Sequence, residues 1–307
     1  MITLIEPVSK ETLKSEITPL MIIREFKGLQ VCILKAEEAP SVMTEIGRIR
    51  EQEFRKAGAG RDLETDLDNL DFGENCYSQL IVWDPARAEI VAAYRYIITG
   101  DVLNDLSSLR TSSLFRFTPT LVQDIFPKSM ELGRSVVNQA ANRKFLGLLA
   151  LWKGLGALLS EYPDLTYFFG NFTIYKTSTD SSTKAICDFL DFYHAPETAL
   201  LEPIIDGKVL FSENPFQLTG DYESDFQDLH KYVRSQGSQI PKILLSYLSA
   251  CRGLQYLGIA KDNDFGDAKE CGILVSRKLF KTKTNDTLFK EYQSINPDRF
   301  KDLRKKR

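Results

Sequence analysis

An α+β fold, with a mixed and mostly antiparallel sheet flanked by helices and a C-terminal extension, is predicted by three observations. Two alternating, β-rich runs, YSQLIVWD (77–84) and EIVAAYRYII (89–98), are joined by the turn WDPARA and read as a hairpin. A strand at 129–137, a helix at 144–161 and a strand at 165–175 follow one another, and a strand–helix–strand connection calls for at least one parallel pair. After about residue 200 the pattern loosens into shorter elements. With no internal repeat, no low-complexity tract and no long linker, the division expected is a core over residues 1–200 and an α/β extension over 201–307 packed on it.

The remaining elements follow in order. MIIREFKGLQVCILKA (21–36) alternates and reads as one or two strands, and APSVMTEIGRIREQEFRKAG (39–58) has helical spacing and a glycine stop. STDSSTKAICDFLDFYH (178–194) is a helix with a Ser/Asp-rich start. Beyond it come a short hairpin, LLEPIIDGKVLF, a polar helix near 221–236, a helix PKILLSYLSACRGL, and two β segments, LQYLGIA and ECGILVS, around the turn KDNDFGD. The basic tail RFKDLRKKR is expected to fray.

Composition narrows the function. The 307 residues carry a net charge of -3, which gives no nucleic-acid signature, and 43% hydrophobic with 26% charged residues is ordinary for a globular chain. The 5 cysteines are irregularly spaced without CxxC, so a reduced, cytoplasmic compartment and no metal site are expected. The N-terminus lacks the basic start and apolar run of an export signal. The most apolar span, 145–159, contains Lys153 and is too short to cross a bilayer. The phosphate-loop pattern GxxxxGK[ST] and the nucleophile elbow GxSxG are absent. Neither His194 nor His230 is followed by an aspartate five residues on, as an HxxxxD acyltransferase would need, so both read as bystanders.

The charges that stand out are Arg50, in REQEF with Phe54; the acidic run with Asp66, Asp68 and Asp71; Arg95, near the end of AAYRYII; and Glu131 and Arg134, in MELGRSVV. In a regular strand residues three apart face opposite ways, so Glu131 and Arg134 share a side only if the strand bulges, and Gly133 is where a bulge is tolerated. Two readings stand for the arginines: a role in binding, or pairing with Asp66, Asp68 and Asp71 to hold a loop against the sheet. For Glu131, inside an apolar element and beside a break in the strand, a positioned base or amine ligand is expected. The elbow NQAANRK feeds the strand into a helix, leaving N–H groups unpaired beside Arg143 and Lys144. Such a corner suits a phosphate, or is an ordinary turn with two solvated basic residues.

Taken in order, REQEF, the aspartate run, AYRY, ELGRSVV, the basic elbow and LLALWKGL resemble the GNAT-fold amino-acid N-acyltransferases of bacterial aminolipid synthesis, once labelled hemolysin-like. The order is also similar to that of acyl-homoserine-lactone synthases, which share the ExxR step. IPKILLSYL and KDNDFGD look like the aminolipid group's own C-terminal motifs, so the resemblance spans roughly residues 40–276. It implies transfer of a fatty, 3-hydroxylated acyl group from acyl carrier protein to the α-amine of an amino acid, glycine favoured over ornithine. No bound cofactor is implied; acyl-CoA is the alternative donor.

Carried over by position, Arg50, Phe54, Asp66, Asp68, Arg95, Glu131 and Arg134 fall on the family's polar cluster, Glu131 and Arg134 as catalytic residues and the others as substrate-binding ones; the strand end and elbow add Val137, Asn138, Arg143 and Lys144 as expected contacts of the phosphopantetheine. The elbow departs from the glycine-rich turn of coenzyme A users, because no glycine precedes Gly147. That favours the single phosphodiester of a carrier-protein arm. Glu131 is expected to deprotonate the amine, backbone N–H groups near Val137 and Asn138 to stabilise the oxyanion, and Tyr175 or Tyr193 to protonate the thiolate. The greasy product suits peripheral contact with the inner membrane face. The alternatives are a lactone-type signal synthase, a non-catalytic acyl-chain-binding protein and, with little weight, a membrane-lytic toxin.

Overall fold

The computed structural model describes residues 2–204, 207–211 and 216–300. It confirms the α+β class: eight strands form one sheet in the order β1-β2-β3-β4-β6-β7-β10-β9. β1 (Ile22–Phe26) and β2 (Leu29–Leu34) form a hairpin whose turn residues Lys27 and Gly28 both have positive φ, 51° and 74°, the geometry a two-residue hairpin turn asks for. β3 (Ser78–Asp84) and β4 (Glu89–Ile98) are the second hairpin. β6 (Ser129–Val137) runs antiparallel to β4 and parallel to β7 (Tyr167–Ile174), which is the parallel pair expected. β10 (Ala268–Ser276) pairs with β7 and with β9 (Leu254–Asp262), so these late strands complete the same sheet.

Helices cover both faces. α2 (Pro40–Ala57) starts on a proline, ends at Gly58 in the left-handed region, and buries Val42, Met43, Ile46 and Ile49 with Cys32, Ile81, Ala93 and Val136 of the sheet. On the opposite face α3 (Lys144–Glu161) sets Leu151, Leu155 and Leu158 against Val31, Leu80 and Val82. α4 (Asp180–His194) and α6 (Lys242–Ala250) lie on that same side. α5 (Tyr222–Ser235) packs Leu229 and Val233 into it.

Several features depart from the sequence reading. α1 (Lys10–Glu16) and α7 (Thr282–Phe289) were not foreseen; each offers one buried residue, Leu13 and Leu288, too little to set a period. The expected hairpin at 200–211 is replaced, where described, by β8 (Leu201–Pro203) pairing with β5 (Phe115–Phe117); residues 205 and 206 lie outside the described residues. α6 stops at Ala250 because Cys251 turns extended and bridges Phe280. The tail is anchored at its start: Arg299 pairs with Glu38 at 2.5 Å and Phe300 packs on Tyr162, while 301–307 lie outside the described residues. Among the described residues no helix is long and apolar enough to cross a membrane.

Candidate active site

The site is built where β6 and β7 part. They pair only from Ser129–Tyr167 to Leu132–Gly170. At that last pair Gly170 has φ 149°, and a Cβ there would meet the Leu132 carbonyl oxygen at 2.4 Å, so only glycine fits the fork. On the other side of β6 the register with β4 jumps from Arg95–Gly133 to Ala93–Val136, placing Arg134 and Ser135 opposite Tyr94 alone. The bulge expected near Gly133 therefore exists, with one correction. Its left-handed residue is Arg134, φ 50°, while Gly133 keeps its place in the ladder. That backbone costs about 1–2 kcal/mol for a non-glycine residue. An ion pair to Asp66 at 2.9 Å and stacking of the guanidinium 4.4 Å from the Phe265 ring centre hold it there.

Between the diverging strands lies a cavity of about 520 Å³. Side chains from both faces of the sheet line it. Tyr94, Leu132, Phe172, Ile240, Ile243 and Tyr247 make a wall that is apolar but for hydroxyl groups, and Arg110, Asn171, Thr173, Asp262 and Glu270 make a polar one. Phe54, Arg134, Ser135, Tyr175 and Phe265 complete the lining.

Of the charges picked out in the sequence, most bind one another. Arg50, fully buried, meets Asp71 at 3.2 Å and donates to Gln79 at 2.5 Å; Arg95, also fully buried, donates to Asp68 at 2.8 Å and lies 3.3 Å from Asp71. Burial would raise the Asp68 carboxyl, but the charge and hydrogen bond of Arg95 outweigh it and hold it at about 2. These pairs tie the aspartate loop to α2 and the sheet. Arg50, Asp68 and Arg95 do not line the cavity, and Asp66 reaches it only through Arg134.

Glu131 and Arg134 do end on one face, yet point apart. Glu131 is 1% exposed and does not line the cavity. Its carboxylate accepts from Tyr77 Oη at 2.8 Å and from Thr111 N–H at 3.0 Å, while Tyr77 Oη also accepts the Arg110 N–H at 2.8 Å. Burial pushes its pKa up, against those hydrogen bonds. Glu131 thus fastens the loop that carries Arg110.

At the elbow, Asn138 donates its N–H to the Val91 carbonyl at 2.9 Å, Arg143 bonds the Lys27 carbonyl, and Lys144 bonds the Gln139 carbonyl at 2.8 Å. The Asn142 N–H already holds the Glu89 carboxylate at 3.0 Å. Val137, Asn138, Arg143 and Lys144 lie outside the cavity lining. Tyr175 lines the cavity, its phenol pushed up to about 12 by burial and then by Glu270; Tyr193 is spent on Asp225 at 2.5 Å. His194 binds the Leu254 carbonyl and His230 packs on Phe226, and neither lines the cavity.

Sequence reasoning missed the polar wall. Asp262 stands at the end of β9 and Glu270 near the start of β10, on the same face of that hairpin; Glu270 accepts from Thr173 at 2.9 Å and from Asn171, both on β7. Arg110 donates to Asp262 across 152 residues of sequence. Burial, then the neighbouring Asp262 charge, raise Glu270 to about 7 against Arg110 and the two hydrogen bonds. The available signal was hairpin arithmetic: in an antiparallel pair around KDNDFGD, Asp262 and Glu270 fall on one face.

Residues 49–153 match a family model described as an acetyltransferase (GNAT) domain. The chain is 35% identical over 293 residues to a glycine N(alpha)-acyltransferase of Bacteroides thetaiotaomicron, covering 89% of this chain and 85% of that protein. It is 33% identical over 290 residues to a glycine N(alpha)-acyltransferase of Phocaeicola vulgatus, covering 89% and 88%. The chain belongs to this family of GNAT N-acyltransferases. Its reaction class is acyl transfer to an amine. Among solved structures it resembles the acyl-homoserine-lactone synthase LasI distantly, with a TM-score of 0.41 and 12% identity over 85% of this chain and 94% of that one. Within this family of acyltransferases the cavity walls acquire a meaning the sequence motifs lacked: IPKILLSYL supplies Ile240, Ile243 and Tyr247, and KDNDFGD supplies Asp262 and Phe265.

Proposed function

We propose that the protein moves a fatty acyl group, 3-hydroxylated in its natural form, from the phosphopantetheine thioester of acyl carrier protein to the α-amine of glycine, as a step in aminolipid synthesis. The observation that carries this reading is the parting of β6 and β7, which opens a cavity with a largely apolar wall and a polar one at a single point of the sheet. A thioester needs both: a strand edge whose backbone N–H groups are free to meet the carbonyl and the pantetheine amides, and apolar surface for the chain. Beyond Leu132 the edge of β6 facing β7 has no strand partner, and Gly133, Arg134 and Ser135, which line the cavity, would supply those groups. Arg134, bulged into the cavity, adds positive charge beside the developing oxyanion.

Acyl carrier protein is favoured over coenzyme A because the elbow offers little to a pyrophosphate. Its Asn142 N–H is occupied by Glu89, and Arg143 and Lys144 bind backbone carbonyls. Glycine is favoured as acceptor because both curated relatives carry it in their names. Peripheral membrane contact would use Phe145, 87% exposed beside Lys144.

The test is direct. Purified protein is given acyl carrier protein or coenzyme A loaded with the same acyl chain, with glycine or ornithine, and products are read by mass spectrometry. N-acylglycine from the carrier-protein donor is expected. Absence of any N-acyl product from all four pairings would overturn the reading.

A further inference from the structure

The proton of the acceptor amine needs a home, and of the two buried carboxylates in the cavity wall Asp262 is paired with Arg110, which leaves Glu270 to take it. An α-ammonium is mostly protonated near neutral pH and cannot attack a thioester until it loses a proton. Resting on the acyl transfer proposed above, we propose that Arg110 and Glu270 form the amino-acid subsite. Arg110 takes the glycine carboxylate and Glu270 takes the proton from its ammonium.

Three observations support this. Glu270 is 2% exposed, yet its side chain is part of the cavity wall beside Arg110 and Asp262. Thr173 and Asn171 on the neighbouring strand fix its carboxylate. Asp262, itself 4% exposed in its side chain, holds Arg110 in place from the adjoining strand. A free amino acid carries a cation and an anion about two bonds apart, which is the spacing that a cation and a carboxylate in one wall can bracket. The charged and titratable groups facing Glu270 are Asp262 from β9, Arg110 from the loop before β5 and Tyr175 after β7; Arg134 from β6 and Lys242 from α6 lie further round the cavity.

The step balances. The ammonium gives one proton to Glu270; the neutral amine attacks the thioester carbonyl, the C–N bond forms and the C–S bond breaks. The second amine proton passes to the thiolate, leaving an amide and a free thiol, and Glu270 returns its proton to solvent.

The experiment compares kcat/KM against pH for the wild type, Glu270→Gln and Glu131→Gln, with acyl carrier protein as donor and glycine as acceptor. The wild type should lose activity as pH falls through about 7, since a carboxylate raised to that range must be ionised to act. Glu270→Gln should lose about 10²-fold at pH 7 and show no inflection there, its residual rate climbing with the free-amine fraction to higher pH. Glu131→Gln should keep the inflection. Arg110→Lys should raise KM for glycine at least about tenfold more than it lowers kcat. Equal melting temperatures for wild type and Glu270→Gln at pH 4, where the Glu270 carboxyl is neutral in the folded and the unfolded chain, exclude a folding defect; if Glu270→Gln melts earlier there, Glu270→Asp, which must shift the inflection, takes its place. A wild type that makes N-acylglycine beside a Glu270 variant with an unchanged inflection near 7 overturns the subsite and leaves the acyltransferase reading standing. A wild type that makes no N-acyl product overturns both.

Discussion

Two buried charge clusters share one face of this sheet and differ in what each leaves over. In the first, Arg50 and Arg95 spend their charges on Asp68 and Asp71, with the Gln79 amide bonded between Arg50 and Asp71, and hold the aspartate loop down. In the second, Arg110, Asp262 and Glu270 are tied in place but present themselves to a cavity. Both are buried and both carry shifted ionisations, so neither property separates scaffold from reaction centre. Access to the space between β6 and β7 does.

The sharpest way to break this comparison is to unpair the first cluster. Asp71→Ala leaves the fully buried Arg50 with only the neutral Gln79 and takes one of the two carboxylates beside Arg95, and leaving a buried charge without its partner costs about 3–5 kcal/mol. Urea unfolding should register that loss; a change under 1 kcal/mol would mean the cluster is no clamp.

Stability against pH reads the second cluster. The folded pKa of Glu270, about 7, lies above the ordinary 4.5, so the fold favours the neutral form. The stability this lends is complete below about 4.5 and is lost as pH rises through about 7. Glu270→Gln removes the loss and should gain up to about 3 kcal/mol over the wild type above pH 7, with no gain at pH 4. Thermal melts across that range decide it.

Smaller effects sharpen the contrast. Glu131→Gln keeps an acceptor for the Thr111 N–H but must re-pair with Tyr77 Oη, so about 1–2 kcal/mol of stability should go. Phe145→Ser should change stability by less than about 0.5 kcal/mol while lowering binding to anionic vesicles, checked by sedimentation.

The sequence carried the sheet well because its strands alternate or run apolar and its helices have caps or glycine stops. It carried the bulged strand as well, since two charges three apart in an apolar run make sense only if the backbone breaks period. What it did not carry are contacts made by folding. Arg110 sits in a run of short turns between β4 and β6 with no period, and reaches Asp262 across 152 residues. Glu270 opens the strand ECGILVS, where a charge at a strand end reads as a solvated edge. The conspicuous charges, Arg50, Arg95 and the aspartates, drew attention because ions in apolar elements are unusual. Their neighbours explain them without a substrate.

Amide hydrogen exchange with a non-cleavable acyl-phosphopantetheine amide on acyl carrier protein tests most directly where the donor lies. Protection of residues 133–137 and 171–174, at the parting of β6 and β7, is the result expected. Protection confined to the elbow at 138–147, or none at either place, would contradict it.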